Sequence, residues 1–112
     1  MINLTVRRLK GDQVENVVEW LAEVNGPRRN EAIRTLIAEG VDHETAAILR
    51  TGDGVFLIYA METDDPDRAR AVGAASEAEI DKKHHEIMSA AIDGRADVTS
   101  VLSIAPKATD AL

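Results

Sequence analysis

The feature that most constrains the fold is a tight turn near the middle of the chain, at Gly52 and Asp53. The segments on either side of this turn, residues 46–49 and 55–61, are short and apolar, as strands are. Glycine next to aspartate between two such segments is typical of a two-stranded antiparallel hairpin. The sequence therefore predicts a β-hairpin at the centre of the chain, and the remaining elements must be arranged around it.

The segments before and after the hairpin follow a symmetrical order. Residues 1–8 and residues 98–104 alternate polar and apolar side chains, which predicts a first and a last strand. Apolar residues at helical spacing predict two helices on each side of the hairpin, namely residues 12–25, 27–39, 67–75 and 76–92. This is the order of a ferredoxin-like split βαβ fold in the α+β class, with a four-stranded antiparallel sheet that carries its helices on one face.

The length of 112 residues leaves room for one compact domain. We expect residues 1–105 to form this domain and residues 106–112 to be a flexible C-terminal tail, because Pro106 follows the last predicted strand. Gly94 is expected to end the helix that precedes that strand.

The composition excludes several functions. The chain has no cysteine, so disulfides, thiolate nucleophiles, iron–sulfur clusters and cysteine-bound zinc are ruled out. A formal net charge of −7 and an aromatic content of 3% argue against binding to nucleic acid, whose phosphates would be repelled and whose bases would find few rings for stacking. No segment approaches the roughly 20 apolar residues that cross a bilayer, and no secretory leader pattern is present. We expect a cytoplasmic protein without nucleic-acid or membrane partners and without a bound cofactor.

The predicted sheet has helices on only one of its faces. If the second face carries Ile48, Leu57 or Tyr59, it exposes apolar area to solvent. A second copy of the chain would cover that area, so we expect a symmetric homodimer in which two sheets pack face to face.

The helix predicted at residues 76–92 carries the most informative polar side chains. At about 100° per residue, His84 falls on the stripe of Ile80 and Ile87, which is turned towards the core. Asp81 borders this stripe within reach of His84, whereas His85 faces mostly outward. A carboxylate one turn from an imidazole orients the ring and raises its pKa, so the pair suits general acid–base catalysis.

The same residues allow two other interpretations. A core histidine can be purely structural, with its hydrogen bonds satisfied by Asp81 or by a backbone carbonyl. Asp81 with His84 or His85 can also supply at most two or three metal ligands, and the others would have to come from His43, Glu44 or Glu62. Because the chain has no twin-histidine helix motif and no closed ligand set, we predict no metal site.

Further candidates lie on the hairpin. His43 and Glu44 are adjacent in a strand and therefore point to opposite faces. A loop of two or four residues places His43 opposite Glu62 and puts Glu44 on the face of Tyr59, whereas a three-residue loop reverses the assignment. The sequence leaves both registers open. The predicted catalytic residues are His84, Asp81 and Glu44, and the predicted ligand-binding residues are His43, Tyr59, Trp20 and Glu62.

These segments resemble a family of small prokaryotic proteins that is described only as a domain of unknown function. The similarity covers nearly the whole chain and is strongest in residues 40–44, in the hairpin and in residues 79–84. It implies that Glu44 of the second strand, Asp81 and His84 of the Ile-Asp-x-x-His pattern, and Trp20 belong to the family's common pattern. The family has no established activity.

The element order also looks like that of the dimeric α/β barrel proteins, which include sugar mutarotases, cofactor-free monooxygenases and binding-only members. This resemblance implies a pocket for a small organic metabolite, and a cofactor-free isomerase or monooxygenase-like enzyme that uses His84 with Asp81. Haem is disfavoured because the chain has few aromatic residues and no haem-attachment motif. The alternative is a non-catalytic homodimeric binding or interaction module, in which the same residues fasten the last helix to the sheet.

Overall fold

The computed structural model describes residues 1–106 and has the predicted order of strands, helices, hairpin, helices and strand. Its elements are β1 (Ile2–Leu9), a 3-10 turn (Gly11–Gln13), α1 (Val14–Asn25), α2 (Arg29–Glu39), β2 (Val41–Thr51), β3 (Gly54–Thr63), α3 (Pro66–Ala75), α4 (Glu79–Ala91) and β4 (Ile92–Ala96). The tail predicted at residues 106–112 lies, except for Pro106, outside the described residues.

The four strands form one antiparallel sheet in the order β2-β3-β1-β4. The central pair β1 and β3 is flanked by the strands that follow the two helical crossovers, which is compatible with the ferredoxin-like split βαβ arrangement. The predicted fold class is therefore confirmed.

The central hairpin has a two-residue loop at Gly52 and Asp53, since Thr51 pairs with Gly54. The Thr51 hydroxyl donates to the Gly54 carbonyl at 2.9 Å and accepts from the Asp53 amide at 3.1 Å, which holds the turn closed. This register places His43 opposite Glu62, and it puts Glu44 on the face of Tyr59. Of the two registers that the sequence allows, the even-loop register is the observed one.

The last strand is not where the alternating pattern placed it. β4 follows α4 directly and pairs with β1, with Gly94 opposite Arg8 rather than at the end of a helix. Residues 98–104, predicted as the fourth strand, have no regular structure, and the Val101 side chain is 92% exposed. The physical reason is that the free edge of β1 pairs with the first segment that reaches it after α4, although that segment, Ile-Asp-Gly-Arg-Ala, has low strand propensity.

The sheet has one covered face and one open face. On the covered face, Leu9 and Leu57 pack in one core with Val17 and Trp20 of α1 and with Ile80 of α4. Ile48, Leu57 and Tyr59, which we expected to expose apolar area, pack in or against this core instead, so that part of the prediction is wrong. The residues that alternate with them in the strands form the open face, whose apolar members are Ile2, Leu4, Val6, Ala47, Leu49, Phe56, Ile58, Ala60 and Ala96.

None of the helices within residues 1–106 combines the length and the apolar character needed to cross a membrane.

Candidate functional site

The candidate site is centred on His84, where α4 meets α1 and β3. Trp20 of α1 donates its indole Nε1–H to His84 Nδ1 at 2.9 Å. The hydroxyl of Tyr59, on β3, lies 3.3 Å from His84 Nε2. Both ring nitrogens of a partly buried histidine are thus engaged by side chains from two other elements, and three residues predicted from the sequence are brought together.

The local fold holds these three side chains in place. Ile80, Met88 and Ala91 form the buried stripe of α4, and His84 lies between them on the same face, as the helical spacing predicted. Trp20 is only 3% exposed. The cationic groups of Arg28 and Lys83 lie 5.5 Å and 5.2 Å from the centre of its ring, within cation–π distance. The indole is therefore fixed by packing before any ligand is considered.

Asp81 has a different relation to His84 from the predicted one. Within residues 1–106, the hydrogen bonds of the imidazole go to Trp20 and Tyr59, and Asp81 acts on it only through its charge. Burial lowers the pKa of His84, the neighbouring His85 lowers it further, and Asp81 partly opposes both. His84 is therefore a neutral imidazole near pH 7, and Trp20 rather than Asp81 orients it.

A group of carboxylates lies beside this histidine. Desolvation raises the pKa of Glu44, and the negative charge of Asp81 raises it further. Glu44 itself keeps contact with solvent, so the desolvation comes from the protein around its carboxylate rather than from complete enclosure. Burial, assisted by Glu44 and Asp81, raises the pKa of Glu39 to about 7. Glu39 therefore holds or releases a proton near neutral pH, and the pKa of Glu44 is raised beside it.

Glu39 was not predicted from the sequence. It is the last residue of α2, and Gly40, with a φ of 74°, ends the helix in the left-handed conformation and turns the chain into β2. This reversal brings Glu39 close to Glu44, which follows on β2. A signal for Glu39 was available in the sequence. A glycine that ends a helix just before a strand places the residue in front of it, here Glu39, near that strand and its candidate Glu44.

Tyr59 connects the histidine with the carboxylates. Burial raises the pKa of its phenol, and the charge of Glu44 adds to this effect. Tyr59 therefore stays protonated and acts as a hydrogen-bond group rather than as an anion. The site combines a neutral imidazole, a protonated phenol and carboxyl groups of raised pKa, which is a set suited to proton transfer.

Two of the predicted ligand-binding residues do not join this site. His43 and Glu62 are paired on the open face of the sheet, and both are exposed. His43 has a 3.5 Å contact with the Thr45 hydroxyl on its own strand. They are separated from His84 by the thickness of the sheet, because the observed register turns Glu44 rather than His43 towards the helices.

Two open grooves border the site. One, of about 400 Å³, lies between α2, α3 and α4 and includes Glu39 and Asp81 in its walls. The other, of about 360 Å³, lies between α1 and α4 and includes Trp20 and Lys83. His84 lines neither groove. Within residues 1–106, no three His, Cys, Asp or Glu side chains are arranged to hold a metal ion.

The topology and the His84 site define the class of protein, an α+β domain with a half-buried acid–base cluster between its helices and its sheet. The chain belongs to the family of unknown function DUF6176, which its residues 1–110 match. No curated protein and no solved structure matches the chain significantly.

Proposed function

We propose that this protein is a homodimeric, cofactor-free protein of the dimeric α/β barrel type that binds a small organic metabolite beside His84 and transfers a proton on it. An isomerase, a mutarotase or a monooxygenase-like enzyme would use such a site. The observation that carries the proposal is the contact of Tyr59 with His84 next to Glu44, a carboxyl group of raised pKa. We also propose that the protein acts in the cytoplasm.

The acid–base groups suit an uncharged or cationic metabolite better than an anion. The charge of Asp81 raises the pKa of both Glu39 and Glu44, and Glu44 also raises that of Glu39, so an added negative charge at the site would be repelled. Glu44 is the candidate base because this residue is exposed to solvent, so a ligand can reach it. Tyr59 is the candidate acid or hydrogen-bond donor.

The second half of the proposal concerns the open face of the sheet. From strand spacing and length, this face covers roughly 500 Å² per protomer, so that a face-to-face pair would bury about 1,000 Å². That is the lower limit for a specific interface. Its centre is apolar, with Val6 and Ile58 side by side, and its rim carries charged or polar residues such as Arg8 and Glu62. A second copy of the chain is the occupant that fits a self-complementary face of this kind.

The proposed function is tested with a pair of matched substitutions on the hairpin. A metabolite library is screened by thermal shift, and each hit is measured again with Glu44→Gln and with Glu62→Gln, a control on the opposite face. We expect Glu44→Gln to reduce turnover of the true substrate by about 100-fold, because general acid–base catalysis contributes at least that much. Glu62→Gln is expected to leave turnover unchanged. Equal turnover by both variants would overturn the catalytic proposal.

A non-catalytic binding or interaction module is the second candidate. It is favoured by one observation, that His84 lines neither of the two grooves and has both nitrogens occupied by the protein's own side chains. If a metabolite binds to wild type and to Glu44→Gln alike and is recovered unchanged, this second candidate is the better description. Light scattering of the wild type at micromolar concentration tests the dimer in both cases, and a monomer mass would exclude it.

A further inference from the structure

The hydrogen bond between Trp20 and His84 fixes more than the position of a ring. The indole Nε1–H of tryptophan is a donor only and has no lone pair to offer. His84 Nδ1, 2.9 Å away, must therefore be the acceptor and cannot itself carry a hydrogen. A neutral imidazole with an unprotonated Nδ1 carries its hydrogen on Nε2.

This tautomer sets the direction of the next hydrogen bond. Nε2–H lies 3.3 Å from the Tyr59 oxygen and must be the donor, so the tyrosine oxygen accepts. Among the described residues, the Tyr59 hydroxyl has no hydrogen-bond partner besides His84. Its own hydrogen is therefore directed away from the imidazole.

We propose that Trp20 is a positioning residue that holds His84 in the Nε2–H tautomer and thereby makes Tyr59 an obligatory hydrogen-bond donor to the ligand. The hydrogen bonds then run in one direction, from the indole to the imidazole, from the imidazole to the phenol oxygen, and from the phenol to an oxygen or nitrogen acceptor on the ligand. This inference rests on the proposed function for the existence of a ligand, but the tautomer is a property of the free protein.

Two features of the structure make the direction stable. Trp20 is only 3% exposed and is held by Arg28 and Lys83, so its indole cannot turn away to another acceptor.

The arrangement also assigns roles within the site. The lone pair of His84 is used by Trp20, so the imidazole is not free to act as the base, and Glu44 is left as the group that accepts a proton from the ligand.

The experiment is a long-range ¹H–¹⁵N correlation spectrum of the uniformly ¹⁵N-labelled, full-length protein without any added ligand. We expect His84 to give one protonated-type and one unprotonated-type nitrogen signal, with the proton on Nε2. The exposed His43 and His85 are internal controls and are expected to give averaged signals of mixed tautomers. A proton on His84 Nδ1, or an averaged His84 spectrum, overturns the inference.

Two variants separate positioning from simple packing. Trp20→Phe keeps an aromatic ring but removes the donor, and it is expected to move His84 towards the mixed pattern of the two controls. Tyr59→Phe removes the acceptor on the other side of the ring and is expected to leave the Nε2–H tautomer unchanged, because the indole alone fixes it. If Trp20→Phe does not fold, the wild type and Tyr59→Phe still decide the question. A fixed tautomer in wild type that persists in Trp20→Phe, or is lost in Tyr59→Phe, contradicts the proposal. Failure to find any metabolite would count against the proposed function only.

Discussion

The two faces of the sheet differ in the side chains that they carry and in how far these are exposed to solvent. The covered face, which packs against α1 and α4, includes Tyr59 beside fully buried Leu57, and Glu44 lies on the same face opposite Met61. The open face is mostly apolar, and its Leu4 and Leu49 side chains are 40% and 45% exposed. The covered face thus combines titratable groups with core residues, and the open face leaves leucine side chains partly exposed. This difference supports the proposal that the covered face carries the chemistry and that the open face mediates association.

The largest expected effect separates the two faces by stability. Leu57→Ala removes a fully buried side chain from the core and is expected to destabilise the protein by about 3 kcal/mol. Leu49→Ala, on the open face, is expected to cost less than about 1 kcal/mol because Leu49 is already half-exposed. Chemical denaturation at low protein concentration measures both. Equal losses for the two variants would mean that the faces are not different in packing.

The second prediction tests association. Leu4→Glu places a carboxylate near the centre of the open face and is expected to weaken the dimer at least about 100-fold, because burying an unpaired charge costs several kcal/mol. Ile37→Glu is the matched control, because Ile37 is also an exposed aliphatic side chain, 72% exposed, but lies on α2 rather than on the sheet. Sedimentation equilibrium gives both dissociation constants. A dimer that survives Leu4→Glu would assign the interface to another surface.

The third prediction concerns the covered face. The pKa of Glu39 in the folded protein, about 7, lies above its ordinary value of 4.5. Between these two values the folded state binds the extra proton, so the stability that this proton contributes is complete below pH 4.5 and is lost as the pH rises through 7. Glu39→Gln removes the dependence. We expect the variant to be more stable than wild type at pH 8 by about 1 to 2 kcal/mol, less than the full linkage value because the side chain is partly solvated.

Urea denaturation of both proteins from pH 5 to pH 8 measures this difference. The contribution of His84 has the opposite sign, because its lowered pKa gives stability that is lost as the pH falls below 6.5, and it largely cancels when the two proteins are compared. Glu19→Gln, which makes the same change at an exposed position on α1, is the control and is measured over the same pH range. A Glu39→Gln variant whose stability follows that of wild type at every pH would show that Glu39 ionises normally.

The sequence predicted most of the fold because its signals were local. The Gly52-Asp53 turn and the helical spacing of Ile80, His84 and Ile87 depend on neighbours a few residues apart, and both predictions are confirmed. The hairpin register stayed open, because loop length decides it and composition does not. The hydrogen-bond partners of His84 could not be predicted either. Trp20 lies 64 residues away in the chain, and only the packing of α1 against α4 brings its indole to His84. Glu39 was missed for a different reason, because the Gly40 helix end that brings it close to Glu44 was not used as a signal.

The smallest expected effect tests the one strand that was placed wrongly. Val101→Asp changes the centre of the segment at residues 98–104, which has the stronger strand pattern but no partner in the sheet, and it is expected to change stability by less than about 0.5 kcal/mol. Ile92→Asp changes the segment that does pair with β1 and packs against the core, and it is expected to cost more than about 2 kcal/mol, because it buries an unpaired carboxylate. Thermal unfolding of both variants at one low concentration gives the comparison. The result depends on which segment pairs with the free edge of β1. A larger loss of stability for Val101→Asp than for Ile92→Asp would show that residues 98–104 form the fourth strand.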